Sequence, residues 1–345
     1  NYYFSSFYQR YLPMQTIPTC SIDLKDFKVK SRKWSKDHKN LSTIYSLNTS
    51  NFLTIGSNPK LEKSGKILDI PTAGLCLMPT KEACPMRTNA CSKLCLFSSG
   101  NPVHMPNKIK CRSRRYNAYS NLMTRPIFLR RLVIEVLRFY RKNDNKDLLA
   151  FRSNVVSDIA FETQPVTITD SDSLFILECF GINLNPNKYG SIFEALNSSY
   201  DYLKESFINQ RLKFYDYTKL ANGLYGRDYE LCKKLGVHLT LSYGGIEQFK
   251  QWESLGINEN IFEHAKRYGL NVACGWNSSE YGKEYPELLE IFGKSYKTTT
   301  GDATDARFLD AAESMPLIIM LLIKRTIGQT EAMRHAFCIN ELLGV

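Results

Sequence analysis

From Leu148 onward, short apolar runs alternate with amphipathic stretches of helical spacing, and no other feature of the chain restricts its fold as much. The runs Leu148–Arg152, Leu212–Tyr217, Val237–Ser242, Leu270–Gly275, Tyr296–Thr299 and Leu317–Ile323 read as strands. Helical spacing marks Ser191–Asn209, Asp228–Leu235, Ile257–Tyr268 and Pro286–Phe292 between them. Gly236 and Gly269 stand where helices give way to strands, as residues free to take positive φ do. Strands separated by helices are parallel neighbours, because a parallel pair needs a long crossover. Upstream, Lys66–Pro71 reads as a further strand. Arg112–Lys142 reads as a long helix buried on one face and broken near Pro126. The predicted architecture is α/β: a mainly parallel sheet curved into a partial (β/α) barrel over Lys66 to Ile323. Residues 1–56 read as an irregular, basic amino-terminal arm, 57–325 as the barrel domain, and 326–345 as a carboxy-terminal extension.

Parallel α/β folds bind ligands beyond the carboxyl ends of their strands. The polar residues at those ends are therefore the candidate ligand set: Asp158 beside Ser157, Lys219, Ser242, then Asp302, Asp305 and Arg307 in GDATDAR. Each has a plainer reading. Asp158, Asp302 and Asp305 could cap helices, and Lys219 could be a surface lysine. A magnesium site at the two aspartates of GDATDAR lacks further carboxylates to support it.

The cysteines point to metal. Of ten, five fall between Cys76 and Cys111, so the chain lacks the even spread of a disulfide scaffold. Cys84, Cys91 and Cys95 are separated by six and then three residues, and an odd trio leaves one thiol over from any disulfide. Cys91 and Cys95 would share one face of a helical turn. Paired knuckles of the zinc-ribbon kind are missing, which favours an iron–sulfur cluster, 4Fe-4S in type, with zinc as the alternative. The fourth position falls to Cys76, His104, Cys111 or Cys274, or to a ligand. Cys274 is singled out because it ends a predicted strand. Cys179, Cys232 and Cys338 read as buried small hydrophobes.

The formal charge is +11, from 45 Lys plus Arg against 34 Asp plus Glu, which favours polyanionic partners. Arg112, Arg114, Arg115 and Tyr116 in RSRRYNAY mix cations with an aromatic ring, a combination suited to phosphate and base contacts, so nucleic acid is a candidate partner. The chain has no apolar run near the roughly 18 residues of a membrane span. It also has no basic segment leading into an apolar one, so neither a membrane partner nor a signal peptide is expected. The sequence carries no signal for oligomeric state.

Five segments appear in fixed order: CPMRTNACSKLCLFSSG, RSNVVSDIAFE, FYDYTK, LTLSYGG and GDATDARFLD. In these, from about Ser57 to Leu309, the chain resembles a phage and mobile-element family called gene product 88-like. The resemblance implies a phage-encoded protein of the host cytoplasm. The cysteine loop ahead of a strand–helix series also looks like a distant relative of the radical S-adenosylmethionine barrel, although the CxxxCxxC spacing of that group is absent. The GG after Ser242 departs from the charged pair expected there. Two functions result. One is an S-adenosylmethionine-dependent enzyme acting on nucleotide or nucleic acid, with a cluster at the barrel mouth. The other is a non-catalytic nucleic-acid-binding protein whose cluster or zinc is structural.

Overall fold

The computed structural model describes residues 51–55, 59–95, 106–278, 282–310, 314–323 and 337–343. The basic stretch at 25–39, His104 and most of the carboxy-terminal extension lie outside the described residues. In chain order the elements are β1 (Leu53–Ile55), α1 (Pro59–Leu68), β2 (Thr72–Leu75), α2 (Asn89–Lys93), α3 (Pro106–Ser120), α4 (Arg125–Lys142) and β3 (Leu149–Arg152). Then come β4 (Val166–Ile168), α5 (Asp170–Phe180), β5 (Ile182–Asn183), β6 (Asn187–Tyr189), α6 (Ile192–Asn197), β7 (Tyr200–Asp201), β8 (Ser206–Phe207) and β9 (Leu212–Thr218). The remainder are α7 (Tyr229–Lys234), β10 (Val237–Ser242), α8 (Ile246–Ser254), α9 (Ile261–Tyr268), β11 (Asn271–Trp276), β12 (Leu288–Ile291), β13 (Lys294–Thr300) and β14 (Ile318–Leu322).

The main sheet has nine strands in the order β1-β2-β3-β9-β10-β11-β14-β13-β12. Neighbours from β2 through to β13 are parallel, and antiparallel β1 and β12 finish the two edges. Among the described residues no pairing joins β1 to β12. From β2 to β11 each new parallel strand is added on the same side of the last. Right-handed crossovers wound in one direction put their helices on one face.

Strand register shows what each face does. Side chains alternate between faces, so Phe151, Phe214 and Leu239 share one, and Ala150, Arg152, Tyr215, Tyr217 and His238 share the other. The first face packs against α4, α6, α7, α8 and α9 in the main core. α4 supplies Phe128, Leu132, Val133, Val136 and Leu137, all fully buried. The second face is covered by α1 and by the chain after β13. Leu61 of α1 packs with Cys76 and Val155. Phe308 lies against Tyr215 and His238.

At the centre of that cover sits Asp305. Its carboxylate accepts hydrogen bonds from Arg152 Nη1 (2.8 Å), the Tyr215 hydroxyl (3.0 Å) and the Tyr217 hydroxyl (3.1 Å). Its backbone N–H donates to Ser64 Oγ of α1 at 3.1 Å. Arg307 is also turned inward, donating to the Thr304 carbonyl and pairing with Asp310. These two residues of GDATDAR pack the sheet face instead of facing a ligand.

Several expectations need correction. Lys66–Pro71 is not a strand. Its first half ends α1, whose Lys66 pairs with Glu62 one turn back, and the strand begins at Thr72. The helix expected over Ser191–Asn209 stops at Asn197, and the chain then forms the β7–β8 hairpin. Pro286–Phe292 is an edge strand: Leu289 and Ile291 face in while Leu288 and Glu290 face out, a period of two that a short window with Pro does not separate from a helix. The break expected near Pro126 is present: it separates α3 from α4, and Pro126 occupies the first turn of the second, where its missing N–H does no harm.

Removing a carboxylate that neutralises a buried guanidinium is severe, because the cation is left unpaired. Asp305→Ala should therefore lower the unfolding free energy by roughly 3–5 kcal/mol, the range for breaking a buried pair. Urea denaturation measures it; a loss below ~1 kcal/mol would mean the cover is not held by this residue.

Candidate metal and ligand site

The cysteine loop leaves β2 and returns against the far ends of β3 and β10. Two backbone bonds fasten it to the segment after β3: Val155 N–H to the Leu75 carbonyl (3.0 Å) and Asp158 N–H to the Ala83 carbonyl (2.7 Å). Thr88 then caps α2. Its hydroxyl oxygen accepts from Cys91 N–H at 3.0 Å, while its proton goes to the Gly244 carbonyl at 2.9 Å. Asn89 makes two further bonds to the Glu247 carboxylate. The GG after Ser242 has a steric part here: Gly244, whose carbonyl receives Thr88, leaves room for the Lys219 side chain, whose Cε a Cβ would meet at 3.0 Å.

Between loop and strand ends lies a cavity of about 210 Å³. It has room for several waters or a compact ligand. Cys84, Cys91 and Cys95 all line it, as do Asp158, Lys219 and Ser242. Arg152, Tyr217 and Asp302 complete its polar wall. Cys84 is half-buried and its Sγ approaches the Val156 carbonyl at 3.6 Å. Burial pushes the Cys84 thiol well above its ordinary value. The Asp158 carboxylate and the thiols of Cys91 and Cys95 push the same way, and Lys219 opposes them. A thiol in this position stays protonated until a cation arrives to hold the thiolate. Among the described residues no group of three or more His, Cys, Asp or Glu side chains is placed to hold a single metal ion. The three thiols share a cavity without closing on one point.

Other expected ligands are elsewhere. Cys76 is buried between Leu61 and Val155, and Cys111 is half-buried on α3. Both lie near the Arg115 guanidinium, away from the cavity lining. Cys274 stands on the helix-packed face of β11, in the main core next to Cys338, and burial raises its thiol well above the usual range. The parity of its strand decides this: Ala273 and Gly275 take the cavity side. Of the RSRRYNAY residues, Arg114 is exposed. Arg112 and Arg115 are buried, Arg115 reaching the carbonyls of Asn51 (2.5 Å) and Cys76, and the Tyr116 hydroxyl meets Glu82.

Asp158 is held rather than free. One carboxylate oxygen accepts Lys219 N–H at 2.7 Å, the other takes Arg227 Nη2 at 3.0 Å, and Arg227 also binds Glu162. Asp302 Oδ2 accepts Leu322 N–H at 2.8 Å, tying β14 to the chain after β13. Asp216 lies on the opposite face and accepts from the side chains of Ser153 (2.7 Å) and Asn154, and Asn154 in turn accepts from Ser157 Oγ (2.8 Å) at the cavity wall. Arg152, Tyr217, Thr88 and Gly244 were not foreseen as site residues. The Thr three residues before Cys91 is a helix-cap signal that the sequence did offer.

Burial raises the Asp216 carboxyl to about 7, against the pull of Arg227 and Arg152. Unfolded, an aspartate titrates near ~3.9. Between these values the folded state holds a proton the unfolded state lacks, so this group's contribution to stability is present at low pH and is lost as pH rises through 7. Thermal melts from pH 5 to 8 should show Asp216→Asn gaining on the parent up to about pH 7 and levelling off above it. Parallel curves would contradict the assignment.

A family model described as Gene product 88 matches residues 39–341. No curated protein and no solved structure matches the chain. Among the described residues no helix is long and apolar enough to cross a membrane.

Proposed function

This chain belongs to the gene product 88 family of phage proteins, and on that footing we propose that it is an iron–sulfur protein whose cluster is bound by Cys84, Cys91 and Cys95. The supporting observation is the single cavity that all three thiols line, at the carboxyl ends of parallel strands. A 4Fe-4S cube attaches each thiolate to a different iron, so it needs thiols around a shared space and not around a shared point. Three thiolates leave one iron open to a ligand, and the polar strand ends beside it can hold one. The reading is therefore an S-adenosylmethionine-dependent enzyme acting on nucleotide or nucleic acid in the host cytoplasm, with the sheet as a partial barrel and the cluster at its mouth. When bound, the cluster would supply one-electron chemistry. The chain's own part is to position: the Thr88 cap aims Cys91, and Asp158 fixes the backbone at Lys219. The alternative, a nucleic-acid-binding protein with a purely structural metal or zinc, is less well supported. Two of the three arginines on its expected binding helix are turned inward.

Protein purified without oxygen should be brown and contain iron and inorganic sulfide in near-equal amounts. Cys91→Ser should lose most of both and should raise proteolytic nicking in the loop between Cys76 and Cys111, because metal binding and local folding are linked. Colourless protein with stoichiometric zinc would reject the cluster while keeping a metal site. Folded protein free of iron and zinc would reject both.

A further inference from the structure

We infer that Lys219 and Ser242 form an anchor for an oxyanion, a carboxylate or phosphate on the ligand that occupies the cavity beside the cysteines. The inference rests on the functional reading above and adds the chemical class of that ligand. Its ground is an imbalance of charge. The other charged groups on the wall are tied to the protein: Arg152 pairs with Asp305 and Asp158 with Arg227, the Asp302 carboxylate accepts the Leu322 N–H, and Arg87 donates to the Pro79 carbonyl. Lys219 is different. Its ammonium donates to the Ser242 hydroxyl at 2.8 Å and stands 5.8 Å from the Phe337 ring. No carboxylate among the described residues forms an ion pair with it. A half-buried ammonium with two N–H donors left over is costly unless a ligand or water completes it.

The surroundings are built to keep that ammonium where it is. The Lys219 backbone N–H is held by Asp158, and its carbonyl accepts from both Gln248 Nε2 (3.2 Å) and Trp252 Nε1 (3.0 Å). Its side chain then passes Gly244, where a Cβ would lie 3.0 Å from Lys219 Cε. A larger residue at 244 would push the lysine aside. Because Ser242 Oγ accepts from Lys219, its own proton is free to point to the ligand. Ammonium and hydroxyl together offer an oxyanion two adjacent donors, one of them charged.

Two ligand pairs, each differing by an anionic group, separate carboxylate from phosphate. They are S-adenosylmethionine against decarboxylated S-adenosylmethionine, and adenosine monophosphate against adenosine. Titration calorimetry on anaerobically loaded protein should show, for one pair, at least tenfold tighter binding of the anionic member, about 1.4 kcal/mol. Lys219→Met should abolish the preference, Ser242→Ala should weaken it, and Lys219→Arg should keep part of it. Melting curves check that each variant is folded. Equal binding within both pairs, no binding of either, or a preference that survives Lys219→Met would overturn the anchor. Iron and sulfide are assayed in the same samples. Loss of metal in Lys219→Met would make the lysine a counter-charge for the thiolates and also overturn it. Metal-free parent protein that still discriminates would keep the anchor and reject the cluster instead.

Discussion

Asp305 is the carboxylate on which the arrangement turns. Parallel strands in series send their crossover helices to one face, so the other, where α1 covers only one side, needs further cover. The chain after β13 closes it by sending one carboxylate to Arg152, Tyr215 and Tyr217 at once. The cover therefore reaches its tightest point towards the carboxyl ends of β3 and β9, at Arg152 and Tyr217, which also line the cavity. The open space lies beyond it, at the strand ends, where Lys219 and Ser242 emerge and where the cysteine loop arrives. Site and fold are not separate problems in this molecule, since the ion pair that seals the face also sets where the cavity begins.

The cysteine loop depends on neighbours more than on itself. α2 is five residues long, too short to persist alone. It is held by its Thr88 cap, by the Gly244 carbonyl and by Glu247. Gly244 is touched from both sides: its carbonyl receives the loop and its missing Cβ leaves room for Lys219. Its N–H meets Gln248 Oε1, whose amide nitrogen reaches the Lys219 carbonyl. A short chain of hydrogen bonds thus connects Thr88, which caps Cys91, with the backbone of Lys219.

Much of this was legible in the sequence. β10 was read to the residue, and β9, β11 and β14 to within one, because buried parallel strands are short apolar runs bounded by turns. The rule that ligands meet strand ends located Asp158, Lys219, Ser242 and Asp302 at the cavity. It could not separate Cys274 from them, since that requires knowing which way each strand's alternation falls. Nor could it foresee Asp305 and Arg307 turning inward, because a polar loop segment gives no hint that a buried arginine awaits it. The segment between β3 and β9 was the least readable. Its strands are two or three residues long, and β4 is fixed by packing against α4, a contact remote in sequence.

The central claim is that three thiols facing one cavity hold a metal cluster there. Anomalous diffraction at the iron edge, from crystals grown without oxygen, tests it most directly. The account predicts strong iron density inside the cavity, bonded to the Sγ atoms of Cys84, Cys91 and Cys95. Density elsewhere, for instance at Cys274 and Cys338, or an ordered cysteine loop with no anomalous scatterer within it, would contradict the account.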